Sequence, residues 1–222
     1  MLKENITAIL EQIKGGNDKG EKIYLVGATK TVCAEIINDA VSCGLEIVAE
    51  NKVQEFREKT DLIKGAKQHF IGHLQTNKVK YIVGKVELIH SVDSVHLGQA
   101  IDQTCAKKGV TQDILVEINI GGELSKSGFT PENAQDAVRT LSAFKNLRVK
   151  GLMAMLPPTD DDNLKKDLCL QMRAIYDKLK SSGYDFQYLS MGMSNDYLIA
   201  IQNGSNMIRV GSGIFGKRNY GV

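Results

Sequence analysis

The sequence contains no apolar run long enough to span a bilayer, and its opening residues carry a charged amphipathic stretch where a secretory leader would carry an apolar core. Neither export nor membrane insertion is expected, and cytoplasm is the default compartment. Charge of one sign is also missing. Lys plus Arg number 28 against 26 for Asp plus Glu, a formal charge of +2, so nothing in the bulk charge points to nucleic acid or an anionic lipid surface as partner. Cysteine is sparse and unpatterned: Cys33, Cys43, Cys105 and Cys169 show no CxxC spacing, which argues for reduced thiols and against zinc or a disulfide framework. No proline-, glycine- or serine-rich seam divides the 222 residues, so a single domain over 1–222 is expected. No Gly-x-Ser-x-Gly elbow is present either, which removes the usual signal for a serine hydrolase.

What the chain does have is regularity. Hydrophobic residues make up 42%, enough for one sizeable core. After an opening helix with apolar positions at Ile6, Ile9, Leu10 and Ile13, eight short apolar runs rich in β-branched residues alternate with helical patterns. The runs are 22–29, 45–51, 67–73, 86–93, 112–120, 149–156, 186–193 and 206–216. Helical segments between them include 33–43, 94–108, 130–144 with Thr130 at the N-cap and Pro131 at N1, and 163–181. Strand and helix in turn predict a parallel sheet, and eight strands in this length predict a closed (β/α)8 TIM barrel with an extra N-terminal helix. The competing architecture is an open doubly wound sheet.

In a barrel, chemistry gathers at the carboxyl ends of the strands. "IYLVGATK" ends there on Lys30, which by strand alternation shares a face with Val26 and Ala28. An ammonium at an apolar mouth is less favoured in its charged form and becomes a nucleophile toward an aldehyde; the plainer alternative is a lysine snorkelling into solvent. "SMGMSND" (190–196) and "RVGSGIFG" (209–216) set Gly and Ser beside backbone amides at the ends of the last two runs, where barrels commonly hold phosphate. Ser194 is placed to cap a helix starting near Asn195 and to face a phosphate, with Gly211 and Ser212 completing the cradle. Arg209 alternates inward with Met207 and Gly211 and needs either an acceptor such as a ring nitrogen or a buried carboxylate. Asn51, beside Glu50, and His73 end the second and third runs, where they could line a planar ligand; the plainer alternative for the histidine is a satisfied core residue. His69 and His73 fall on one strand face, about 13 Å apart by strand rise, too far to share a metal ion.

Two phosphate motifs are set aside. "GSGIFG" (211–216) has the GxGxxG pattern, yet the chain offers no following helix or acidic residue about twenty positions on. "GGELSKSG" (121–128) has Ser125 before Lys126 where a P-loop requires Gly.

A strand-end lysine, a phosphate cradle after the last two strands and an inward arginine together suit a phosphorylated pyridine aldehyde, pyridoxal 5'-phosphate (PLP). At this point the chain resembles the pyridoxal phosphate homeostasis protein family, single-domain relatives of the alanine racemase barrel. The stretches that carry the resemblance are "VGATKT", "ENKVQEF", "HFIGHLQTNK", "SVDS", "INIGGELSKSGF", "KGLMAM", "LSMGMSND" and "IRVGSGIFGKRNY", in order over nearly the whole chain. Ala49 and Lys52 depart from it, where the family often has Gly and an aromatic. The resemblance implies that Lys30 holds PLP as a Schiff base, that the loops bearing Ser194, Gly211 and Ser212 bind the phosphate, and that Arg209 sits by the pyridine nitrogen with Asn51 and His73 near the ring. It implies a carrier or regulator of vitamin B6 and amino-acid balance instead of an enzyme; separately, a monomer that can pass PLP to apoenzymes is expected. An arginine there keeps the ring nitrogen unprotonated and the ring a weaker electron sink, and no second domain is expected to supply an opposing proton-transfer group. Two alternatives stay open: a PLP-dependent amino-acid racemase, and a phosphorylated-sugar enzyme using Lys30 as its Schiff-base lysine.

Overall fold

Each apolar run becomes a short, largely buried strand, as a parallel sheet wrapped in helices requires. The computed structural model describes residues 1–123 and 126–216. The strands are β1 (Tyr24–Ala28), β2 (Ile47–Glu50), β3 (Lys67–Phe70), β4 (Leu88–Val92), β5 (Gln112–Ile118), β6 (Leu147–Ala154), β7 (Tyr188–Met193) and β8 (Met207–Val210). They pair in sequence order, all parallel, into a closed barrel. Closure is made by β1 against β8, with Val26 opposite Arg209. An open doubly wound sheet would leave those two edges apart, so the barrel expectation holds.

The helices are α1 (Leu2–Ile13), α2 (Ala34–Ser42), α3 (Val53–Lys59), α4 (Val95–Lys108), α5 (Ala134–Ser142), α6 (Asp162–Ser181), α7 (Tyr197–Gln202) and α8 (Ser212–Phe215). Their ends follow side-chain chemistry. Ser94 accepts the Leu97 N–H at 3.2 Å to start α4, and Gly109 closes it at φ 66°. Thr130 caps as expected with Pro131 behind it, but the first turn is a tighter helix, Pro131–Asn133, that hands over to α5. The β3–β4 crossover departs from the expected pattern: it is a 3₁₀ segment, Thr76–Tyr81, and no α-helix. The last run, 206–216, is strand only to Val210 and then turns into α8. α1 lies outside β1 and β8, burying Ile6, Ile9 and Ile13 against Ile208 and Ile214, and Asn5 Nδ2 ties it to the Ile214 carbonyl at 3.0 Å.

Inside the bore, Val26, Ile47, Ala49, Leu88, Leu115, Met153 and Met207 form a buried layer, closed toward the amino ends of the strands by Tyr24 and Tyr188 meeting edge to face at 5.2 Å. No helix among the described residues is long and apolar enough to cross a membrane.

Candidate functional site

A cavity of about 730 Å³ opens at the carboxyl ends of the strands, within the usual size of a small-molecule site. Lys30, Asn51, Ser194, Arg209, Gly211 and Ser212 all line it. Lys126, Lys165, Asp160 and Asp196 stand on its walls as well. A second cavity of about 450 Å³ lies at the other face, between α1 and the amino ends of β1 and β2; its walls are mostly aliphatic and glycine with two lysines, and it holds none of the candidate residues.

Lys30 follows β1 by two residues, in a turn, and is partly exposed at the cavity. The next residue, Thr31, has φ 65° and is the one non-glycine residue in the left-handed region among the described residues. For a β-branched side chain that conformation costs about 1–2 kcal/mol, so neighbouring contacts must impose it.

Asn51 leaves β2 into the cavity. Its side-chain Oδ1 is buried with no hydrogen-bond partner among the described residues, an acceptor for which a ligand donor would suffice. Gly72 is what lets the β3 end come this close: a Cβ there would stand 1.8 Å from the Asn51 carbonyl oxygen. His73 is not brought in. β3 ends at Phe70, so His73 lies in the following loop, its side chain 64% exposed and paired through Nδ1 with Asp93 at 3.1 Å. It does not line the cavity.

Arg209 is buried, yet it has found no carboxylate among the described residues. NH1 donates to the Ser190 carbonyl at 2.9 Å and to Ser190 Oγ at 2.6 Å, and NH2 donates to the Ala154 carbonyl at 2.9 Å. A guanidinium has five N–H donors, so Nε and one NH2 hydrogen remain unspent at the cavity. Burial lowers its pKa to about 10, with Glu117 and Asp196 pulling the other way, and it stays cationic at neutral pH. Behind it, Ser190 Oγ also lies 3.2 Å from His90 Nδ1, and His90 Nε2 lies 3.0 Å from His69 Nδ1, so a buried hydrogen-bond chain runs from the guanidinium through both imidazoles. Both imidazoles are held neutral: burial lowers His69 to about 3 and drives His90 well below its ordinary value, helped there by His69 and Arg209. His69 therefore belongs to an interior hydrogen-bond chain, away from His73. Glu117 on β5 was not picked out by sequence; burial raises its pKa to about 7, Asp93 adds to this, and Arg209 opposes it.

Ser194 differs from its expected role. α7 begins at Tyr197, and Ser194 does not cap it. Its Oγ instead accepts the N–H groups of Gly211 at 3.2 Å and Gly213 at 3.3 Å, stitching the β7 loop to the start of α8. The backbone N–H groups of Ser194, Asn195 and Ser212 make no hydrogen bond among the described residues, and all three residues line the cavity. Orphan amides converging on one space suit an anion. Of the "GGELSKSG" stretch, Leu124 and Ser125 lie outside the described residues, as do residues 217–222 at the end of the chain. Ala49 belongs to the buried bore layer and Lys52 precedes α3; neither lines the cavity.

Residues 2–219 match the family model for the alanine racemase N-terminal domain. The pyridoxal phosphate homeostasis protein of Aquifex aeolicus is 38% identical over 224 residues, covering 98% of each chain. Among solved structures, an unknown protein from Bifidobacterium adolescentis superposes with a TM-score of 0.91 at 28% identity, over 96% of this chain and 94% of that one. PipY of Synechococcus elongatus with PLP bound superposes with a TM-score of 0.84 at 27% identity, over 97% of this chain and 100% of that one.

Proposed function

The chain belongs to the alanine racemase N-terminal domain family and, within it, to the pyridoxal phosphate homeostasis proteins, and from that premise we propose that it binds pyridoxal 5'-phosphate as a Schiff base on Lys30 and serves intracellular PLP and amino-acid homeostasis without catalytic turnover. The observation that carries this reading is the convergence on one cavity of a lysine amine, the unspent donors of Arg209 and the orphan amides of Ser194, Asn195 and Ser212. When bound, PLP supplies an electrophilic aldehyde on an electron-withdrawing ring.

The residues divide the work by chemistry. The amides of the β7 and β8 loops receive the phosphate, with the stitch from Ser194 holding the two loops at fixed spacing. Lys30 Nζ, as the free amine, gives its electron pair to the aldehyde carbon; the two amine hydrogens and the carbonyl oxygen leave as one water. Arg209 donates to the pyridine nitrogen, which must stay unprotonated to accept, and its charge disfavours a second positive charge there. A ring so held draws electrons weakly. The side-chain amide of Asn51, whose oxygen is unpartnered among the described residues, would offer an acceptor to a donor on the bound ligand.

Adding PLP, reducing with borohydride and mapping peptides by mass tests the assignment: a phosphopyridoxyl adduct on Lys30 is expected, and an adduct on another lysine overturns it. Lys30→Ala should lose the visible absorption band and keep the fold, because it truncates a mouth residue and opens no core cavity. Concentrated protein given L- or D-alanine should show no lysine-dependent isomerisation; measurable racemisation would favour the enzymatic reading.

A further inference from the structure

Both peptide groups that flank Lys30 are gripped by side chains. On one side the Thr29 carbonyl accepts from Lys59 Nζ at 3.2 Å; on the other the Thr31 N–H donates to Glu55 Oε2 at 2.7 Å. Lys59 joins the two grips, donating to Glu55 Oε2 at 2.9 Å and to Glu50 Oε1 at 2.8 Å. All three ammonium hydrogens are thereby committed. Glu50 reaches further: Oε1 accepts from Thr29 Oγ1 at 2.8 Å, and Oε2 accepts the Asn51 N–H at 3.2 Å. The side chains are largely buried, Glu50 at 3% exposure, Lys59 at 13% and Glu55 at 18%. Burial alone would lower Lys59, but hydrogen bonds and charge from Glu50 and Glu55 hold it above its ordinary range.

We propose that the Lys59–Glu50–Glu55 cluster is the positioning device for Lys30, pinning the peptide planes on either side of it, holding Thr31 in the left-handed conformation and so aiming the lysine side chain into the cavity. The proposal rests on the reading that Lys30 carries the PLP aldehyde. Buried ion pairs contribute little net stability against an apolar replacement, whereas a backbone conformation that threonine avoids needs firm contacts on both sides. The same carboxylate that fixes the Lys30 turn through Thr29 also fixes Asn51. Lysine and amide therefore keep one spacing, and a misplacement of about 1 Å between reacting groups is enough to slow a reaction severalfold or more.

The test uses the full chain and the variants Glu55→Ala, which frees the Thr31 N–H but keeps the Lys59–Glu50 pair, and Glu55→Gln, which restores an acceptor. Three quantities are read: hydrogen exchange at the Thr31 amide in cofactor-free protein, the rate of borohydride-trappable attachment of PLP to Lys30, and the Kd of pyridoxine 5'-phosphate, whose alcohol cannot condense with an amine. In Glu55→Ala, Thr31 exchange should quicken and trapping at Lys30 should slow, each about tenfold or more, while the Kd of the alcohol stays within about twofold of the parent. Glu55→Gln should recover most of both losses. Trapping at the parental rate in Glu55→Ala overturns the proposal, as does a parallel loss of alcohol binding or an absence of recovery with Gln. If the parent protein is not labelled on Lys30, the functional reading fails first and this inference with it, an outcome distinct from a labelled parent with indifferent variants.

Discussion

Glu117→Gln isolates the stability effect of one buried carboxyl. Glu117 is 9% exposed on β5, and burial first, then Asp93, raise its pKa to about 7 from 4.5. Between those values the native chain keeps a proton that the unfolded chain has released, so raising the pH through the window favours unfolding. The stability is complete below 4.5 and drains away up to about 7. At about 1.4 kcal/mol per pH unit, the gap amounts to about 3 kcal/mol, most of it lost by neutral pH. Glutamine does not titrate, and the desolvation of its amide is the same at every pH. The unfolding free energy of Glu117→Gln minus that of the parent should therefore rise by about 3 kcal/mol from pH 4.5 to 8. His69 and His90 act in the opposite sense: their depressed pKa values make the native state lose stability as pH falls below 6.5. That slope is common to both proteins and cancels in the difference. Urea unfolding followed by circular dichroism at half-unit pH steps measures it. Parallel stability curves for parent and variant would refute the reasoning.

Thiol labelling should divide the cysteines by depth. Cys33 is exposed and should react with a maleimide in the native protein, whereas Cys105 and Cys169 are buried, with pKa values raised by burial to about 11 and about 12, and should react after unfolding; mass mapping before and after urea checks this. Gly72→Ala sets a methyl 1.8 Å from the Asn51 carbonyl oxygen, a backbone atom that cannot swing away. It should cost about 1–3 kcal/mol by thermal or urea unfolding and weaken PLP binding, since Asn51 moves with the clash.

The barrel was legible because its local signals agree. β-branched runs, spaced helices and caps such as Thr130 each describe the same alternation, and the strands lie inside the apolar runs except β6, which starts two residues early at Leu147. The misreadings arise where a side chain's partner is distant in sequence. Ser194 has the spacing of a helix cap, but its hydroxyl is taken by the Gly211 and Gly213 amides on the next βα unit. His73 reads as a strand end, yet β3 stops at Phe70 and the ring turns to Asp93. Arg209 was placed inward correctly, while its partners, two carbonyls and a serine hydroxyl, lie on β6 and β7. Glu55 and Lys59 look in sequence like an ordinary surface pair one helical turn apart; only when α3 folds back over the β1 and β2 ends do they meet the backbone around Lys30.

The apolar stopper formed by Val26, Ile47, Leu88, Leu115, Met153 and Met207, backed by Tyr24 and Tyr188, turns the cylinder into a cup. A guest has one doorway for arrival and departure, and a successor cannot push it out from the rear.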